Sequence, residues 1–256
     1  MSEHQLDAGW ELARSTMSIA GVTLNGFRNH GATATDMRVF ARPEVTIVLQ
    51  FGESQLTVDG PNQPSATGLV AGLVPGIRHV QAKHLACVEI RMSPLAAYRL
   101  LGSAPTDLAE SLVSPTDIWS RPALILQEQL SETSTWTARF ALVTRFLGAR
   151  EAARSVDAEV AASWARITAT GGGVKVRELA ELTGWSRQRV WSRFTAQVGV
   201  TPKRAAMIVR FRRAFDLITA GYPLAEVAMM CGYTDQSHLH RDMTAFAGTT
   251  PGALST

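Results

Sequence analysis

Residues 174–202 read VKVRELAELTGWSRQRVWSRFTAQVGVTP, and residues 224–251 read LAEVAMMCGYTDQSHLHRDMTAFAGTTP. The two stretches are versions of one another. Glu178, Leu179 and Ala180 recur as Glu226, Val227 and Ala228; Gly184, Trp185 and Ser186 recur as Gly232, Tyr233 and Thr234. Further on, Val190 recurs as Leu239, Phe194 as Met243, and Gly199 with Pro202 as Gly248 with Pro251. The offset is 48 residues before the turn and 49 after it, so the second copy has one extra residue in its turn. Repeats that keep small, apolar and Pro/Gly positions in step are copies of one supersecondary unit.

Each copy needs a small residue where a short helix crosses a second one, and Ala180 and Ala228 supply it. Four residues later Gly184 or Gly232 allows a sharp turn with positive φ. A polar cap then opens the second helix: Ser186 in the first copy, Thr234 or Asp235 in the second. Apolar residues four apart, Val190 with Phe194 and Leu239 with Met243, turn that helix back onto the first. This is the pattern of a helix-turn-helix, whose second helix enters the DNA major groove. Two such matches in register form a far more specific signal than one.

Between the copies, Thr201-Pro202 starts a helix expected to run to about Ala220, where Gly221 stops it. Nineteen residues rising about 1.5 Å each span roughly 28 Å, against about 34 Å between successive major-groove faces on one side of DNA. Met207, Ile208, Phe211, Phe215 and Ile218 form its expected buried face. Lys203, Arg204, Arg210, Arg212 and Arg213 make it basic, fit for phosphates or for pairing with the rest of the chain.

On a helical wheel of the first second-helix, Gln188, Arg189, Ser192, Thr195 and Ala196 lie outward, with Trp191 at the border. Arg187 and Arg193 add charge to the same helix. In the second copy Ser237, His238, Arg241, Thr244 and Ala245 lie outward, with Gln236 and His240 near the opening turn. Gln pairs with adenine edges and Arg with guanine edges, while Ser, Thr and Ala suit shorter polar or methyl contacts. The candidate DNA-binding residues are therefore Arg187, Gln188, Arg189, Trp191, Ser192, Arg193 and Thr195 in the first helix. In the second they are Gln236, Ser237, His238, His240 and Arg241, with Arg241 the foremost guanine reader.

The charge distribution agrees. The chain has 256 residues, 46% apolar and 18% charged, with a net charge of +3, the composition of a globular protein with a full core. Residues 1–159 hold 13 Lys/Arg against 16 Asp/Glu, whereas residues 160–256 hold 12 against 6. Eight basic residues and no acidic one fall between Arg187 and Arg213. A basic half joined to a mildly acidic one points to a polyanion partner for the former alone. Cys87 and Cys231 are too far apart to suggest a disulfide framework. The polar start lacks the apolar core of a signal peptide, and no apolar run approaches a membrane span, so a cytoplasmic location is expected.

From about Met17 to Met92 the chain reads as β. Val45–Phe51 and Gln55–Asp59 are β-branched runs separated by Gly52 and closed by Gly60-Pro61. Ala86, Val88, Ile90 and Met92 alternate with Cys87, Glu89 and Arg91, the period of a half-buried strand. Helices are expected over Leu95–Leu101, Pro122–Leu130 and Thr135–Ala149, the last with a core stripe of Trp136, Phe140, Val143 and Leu147. Cys87 reads as a packed strand residue. His79, His84 and Glu89 are spaced by five, which suits neither one helix face nor one strand face, so no metal site is expected. No phosphate loop, nucleophile elbow or paired-cysteine motif occurs. The charged, small-residue stretch Arg150–Asp157 is the expected joint, dividing residues 1–156 from residues 157–256. A helix from Ala158 to about Thr170, with Val160, Trp164 and Ile167 inward, ends at Gly171-Gly172-Gly173. The fold class expected is α+β: a β-rich half with helices, then an all-α half of two helix-turn-helix units on a long linker helix.

Residues 158–256 resemble the C-terminal DNA-binding domain of the AraC/XylS transcription regulators. The resemblance rests on Ala228, Cys231, Gly232, Tyr233, Asp235, Ser237, Leu239 and Arg241 followed by Gly248-Thr-Thr-Pro251, and on Leu179 through Ser186 in the first copy. It implies that both units enter the major groove, which supports the roles of Gln188, Ser192, Ser237 and Arg241, and that Cys231 belongs to the fold pattern. It also implies activation through contact with RNA polymerase. Three departures stand out. Ser192 occupies a position that is often Arg, Leu239 and Met243 replace the usual aromatics, and Asp242 beside Arg241 is expected to weaken phosphate contact. The N-terminal half resembles the family's cupin-like sensor domain in plan. That plan implies a small-molecule effector of unknown identity or a homodimer contact, and no cofactor. An alternative from another class is a metal-dependent cupin-type enzyme fused to a DNA-binding tail; a third reading makes this half an interaction module without ligand.

Overall fold

A computed structural model describes residues 9–31, 35–39, 41–58, 68–73, 78–102, 105–108, 112–150 and 154–254. The chain divides into two compact units, the second built mainly from Val156 onward. Gly60, Pro61 and residues 151–153 of the expected joint lie outside the described residues.

Among the described residues the N-terminal unit contains eight strands: β1 Trp10–Arg14, β2 Val22–Asn29, β3 Thr35–Val39, β4 Val45–Gln50, β5 Gln55–Val58, β6 Gly68–Ala71, β7 Arg78–Lys83 and β8 Ala86–Met92. All pair antiparallel, in a five-stranded sheet of order β1-β2-β8-β4-β6 and a three-stranded sheet of order β3-β7-β5. Phe27, Leu69 and Cys87 of the first sheet share one buried cluster with Leu56, Val58, Val80 and Ala82 of the second, so the sheets face each other across a packed apolar interior. Cys87 is a core residue, and burial pushes its thiol pKa up.

Strand β8 corrects the half-buried reading. It pairs with β2 on one side and β4 on the other, and Cys87 and Glu89 are buried as well as Val88, Ile90 and Met92. Helices cover the face that alternation assigned to the core, and the three-stranded sheet covers the other. Glu89 is tolerated inside because Arg91 lies 2.9 Å from its carboxylate and Asn25 donates to it at 3.1 Å.

Helices α1 Pro94–Leu100, α2 Pro115–Trp119, α3 Arg121–Glu132 and α4 Trp136–Gly148 complete this unit. Phe140, Val143 and Leu147 are fully inside, while the Trp136 indole packs over Gly26 and donates to Glu11 at 2.7 Å. Arg139 is buried beneath the end of α3. It donates to the carbonyls of Leu130, Thr133 and Ser134, supplying the partners that a helix C-terminus lacks.

The second unit is all helical: α5 Ala158–Ala169, α6 Val176–Thr183, α7 Arg187–Val198, α8 Pro202–Thr219, α9 Leu224–Met230 and α10 Gln236–Ala247. Val160, Trp164 and Ile167 of α5 are buried, with the Trp164 ring 6.5 Å from that of Phe194 on α7. Helix α8 runs through the middle. It packs against α5, α7, α9 and α10, and its Phe211 is wholly inaccessible and stacks on Phe246 of α10 at 5.3 Å. Among the described residues no helix is long and apolar enough to cross a membrane.

Candidate nucleic-acid interface

The two helix pairs α6–α7 and α9–α10 are built alike. Gly184 (φ 69°) and Gly232 (φ 71°) are both left-handed, as the turn requires. The Ser186 hydroxyl accepts from the Arg189 amide at 3.2 Å, and the Asp235 carboxylate from the His238 amide at 2.7 Å, so each second helix is side-chain capped. Asp235, not Thr234, is the second cap. Inward residues Val190, Phe194 and Val198, and Leu239, Met243 and Phe246, are all buried.

The opposite faces carry the candidate residues. On α7, Arg187, Gln188, Arg189, Trp191, Ser192 and Arg193 are exposed, and Trp191 keeps 54% of its surface open. On α10, Gln236, Ser237 and Arg241 are exposed, with the Arg241 Nε donating to the Ser237 carbonyl at 3.3 Å. His240 is partly buried.

Four side chains have surroundings that the wheel did not foresee. Thr195 follows Phe194 at the edge of the inner face, and its hydroxyl is buried rather than outward. His238 is partly buried: its Nδ1 lies 3.0 Å from the Thr234 hydroxyl, its ring meets the Tyr233 ring edge-on at 5.1 Å, and Nε2 is 4.0 Å from the Asp242 carboxylate. Arg193 donates twice to Asp157, at 2.7 and 2.9 Å, tying α7 to the N-terminus of α5. That donation is the main cause holding the Asp157 carboxyl below its ordinary pKa. Asp242 is turned inward and buried, where Arg210 of α8 reaches it, so it does not stand beside Arg241 as a surface charge.

On α8, Lys203, Arg204 and Arg213 are exposed, whereas Arg212 pairs with Asp216 at 3.1 Å. The basic connector thus divides its charges between the surface and the fold. In the other unit, His79 lies in the three-stranded sheet, His84 in a turn with φ 50°, and Glu89 inside the five-stranded sheet. Among the described residues no three His, Cys, Asp or Glu side chains are grouped to hold a metal ion.

This geometry defines a double helix-turn-helix module. The family model described as "Helix-turn-helix domain" matches residues 179–256. The chain is 36% identical over 66 residues to the "Uncharacterized HTH-type transcriptional regulator YbfI" of Bacillus subtilis (strain 168), a match covering 26% of this chain and 24% of that protein. The chain therefore spans about a quarter of that relative. Among solved structures it is similar to a probable AraC family transcriptional regulator from Rhodopseudomonas palustris CGA009 (24% identity, TM-score 0.35, 39% of this chain and 95% of the other). It is also similar to ToxT from Vibrio cholerae (12% identity, TM-score 0.47, 91% and 98%).

Proposed function

We propose that the chain is a sequence-specific DNA-binding transcription regulator that reads two adjacent major-groove segments with α7 and α10. One observation carries this reading. Two helix-turn-helix units share the single rod α8, and each presents a capped second helix with a buried apolar side and an exposed polar side. The rod has 18 residues, hence a length of roughly 27 Å, close to the spacing of major-groove faces on one side of the duplex. Arg187, Gln188, Arg189, Trp191 and Ser192 are the reading set of the first helix, and Gln236, Ser237 and Arg241 that of the second. Lys203, Arg204 and Arg213 supply phosphate contacts.

Residues 1–156 act as the regulatory half, responding to a small-molecule effector or forming a homodimer, and residues 157–256 as the DNA-binding half. The chain is a cytoplasmic activator that contacts RNA polymerase and is not an enzyme. Arg241→Ala tests the reading. It weakens binding by about 1–3 kcal/mol and relaxes preference at one base position, measured against a panel of single-base operator variants. Equal loss on every sequence moves Arg241 to the phosphate class. Affinity falls steeply with salt as phosphate contacts release counterions, and a salt-independent affinity contradicts the reading.

A further inference from the structure

We infer that Trp185, a turn residue outside the recognition helix, is a positioning residue that holds Arg189 for guanine reading by the first head. The inference rests on the DNA-binding reading above and extends it to the selectivity of one half-site.

The guanidinium of Arg189 lies over the Trp185 indole, with its central carbon 4.5 Å from the ring centroid. Arg189 is the third residue of α7 after its Ser186 cap, in the N-terminal turn that approaches base edges when such a helix enters the major groove. Contact through the aromatic face uses none of the five guanidinium N–H donors, so the fork that pairs with guanine stays available. It also restricts a side chain that otherwise loses considerable rotamer freedom on binding.

The neighbouring arginine shows the contrast. Arg193 has its fork closed on the two oxygens of Asp157. Position 192, the counterpart of Arg241 in the repeat, holds serine. Of Arg189 and Arg193, Arg189 is therefore the better placed to read a base.

The second head uses the same two positions differently. Tyr233 replaces Trp185 in the repeat, and His238 replaces Arg189 as the third residue after the cap. The ring of His238 meets the Tyr233 ring at 88°, is engaged by Thr234 and faces Asp242. That position supports the fold of the second head, and the exposed arginine comes one turn later, at Arg241. The two heads thus offer their arginines from different turns of the recognition helix, and the two half-sites should carry guanine in different registers.

The test is selection from random duplex DNA with the full-length wild type, Trp185→Phe, Trp185→Leu and Arg189→Lys. The wild type is expected to select two half-sites, each with a guanine. Arg189→Lys keeps a cation on the indole but loses the fork, and should lower guanine preference in one half-site roughly tenfold or more while leaving the other unchanged. Trp185→Phe retains an aromatic face and most of the preference. Trp185→Leu, apolar but without a π face, loses it while keeping the second half-site and the salt dependence, which a merely structural defect would not leave selectively intact. If Trp185→Leu does not fold, the Arg189→Lys and Trp185→Phe profiles decide. Unchanged guanine preference in Arg189→Lys, or a Trp185→Phe profile as flat as that of Arg189→Lys, overturns the inference. Selective wild-type binding with an unaltered profile in folded Trp185→Leu also overturns it and leaves the DNA-binding reading standing. A wild type that selects no sequence overturns the reading itself.

Discussion

The guanidinium of Arg210 lies 3.0 Å from the carboxylate of Asp242, joining the connecting helix α8 to the recognition helix α10. Both side chains are largely withdrawn from solvent, at 17% and 11% exposure, and the same guanidinium covers the Tyr233 ring at 4.7 Å. This pair fixes the second recognition helix on the rod that also carries the first. Losing one partner leaves a poorly solvated charge. Asp242→Ala is expected to destabilise the second unit by about 3 kcal/mol, whereas Arg210→Met combined with Asp242→Leu recovers most of that loss. Native-state hydrogen exchange in α8 and α10 measures it, and additive single and double effects would contradict the coupling.

Asp157 gives a pH-dependent prediction. Its carboxyl pKa is lowered, chiefly by the hydrogen bonds from Arg193. A lowered folded pKa means the ionised form is favoured in the native state, so its stabilisation is complete above the usual carboxylate value and is lost as pH falls through the lowered one. Arg193 is half exposed, and solvent screening keeps the contribution to about 0.5–1 kcal/mol. The difference in thermal midpoint between wild type and Asp157→Asn should be full near neutrality and shrink as the pH falls below the ordinary carboxylate range. A difference that grows on acidification would contradict this.

Two glycines separate turn strain from crowding. Gly184 has φ 69° with no atom within 4 Å of an added Cβ, so Gly184→Ala carries only the left-handed backbone cost, about 1–2 kcal/mol. Gly172 has φ 81°, and its Cβ would lie 2.1 Å from the Ala206 carbonyl oxygen on α8. Gly172→Ala must therefore cost clearly more, because backbone has to move. Thermal unfolding of both variants gives the order, and equal midpoints would refute the close approach.

In the N-terminal unit Arg139 is the critical polar residue. It satisfies the last carbonyls of α3 while its guanidinium lies 4.4 Å from the Phe51 ring centroid and 5.2 Å from that of Trp136. Arg139→Met preserves length but leaves the buried Leu130 carbonyl without this donor and should cost about 1–3 kcal/mol. Arg139→Lys should recover only part of this, since an ammonium lacks the planar fork. A stability change below about 0.5 kcal/mol in the Met variant would show that water replaces the arginine.

The sequence disclosed the second unit almost entirely. Its information there is local and doubled: caps at Ser186 and Thr201, turns at Gly184 and Gly232, and apolar residues at helical spacing. The α+β class was legible from the β-branched runs Val45–Gln50 and Gln55–Val58 and the helices that follow them. Strand β1, Trp10–Arg14, has only one residue of high β propensity, and pairing with β2 makes it a strand. Arg91 lies only two residues from Glu89, but the burial of Glu89 was hidden because Asn25 and the sheet opposite are distant in sequence. In the interface the wheel separates inner from outer residues but cannot supply partners. Asp157 lies 36 residues from Arg193, and Arg210 lies 32 from Asp242. Only the packed fold brings those charges together and leaves Arg189 and Arg241 presented at the surface.

The central claim is that one subunit reads two successive major-groove segments with α7 and α10. Selection of bound sequences from a random duplex pool by the full-length protein tests it most directly. The expected result is a bipartite site whose two conserved blocks are centred about one helical turn, roughly 10–10.5 base pairs, apart, with changes in α7 altering one block and changes in α10 the other. A single block, or a protein that retains no sequence over the starting pool, would contradict it.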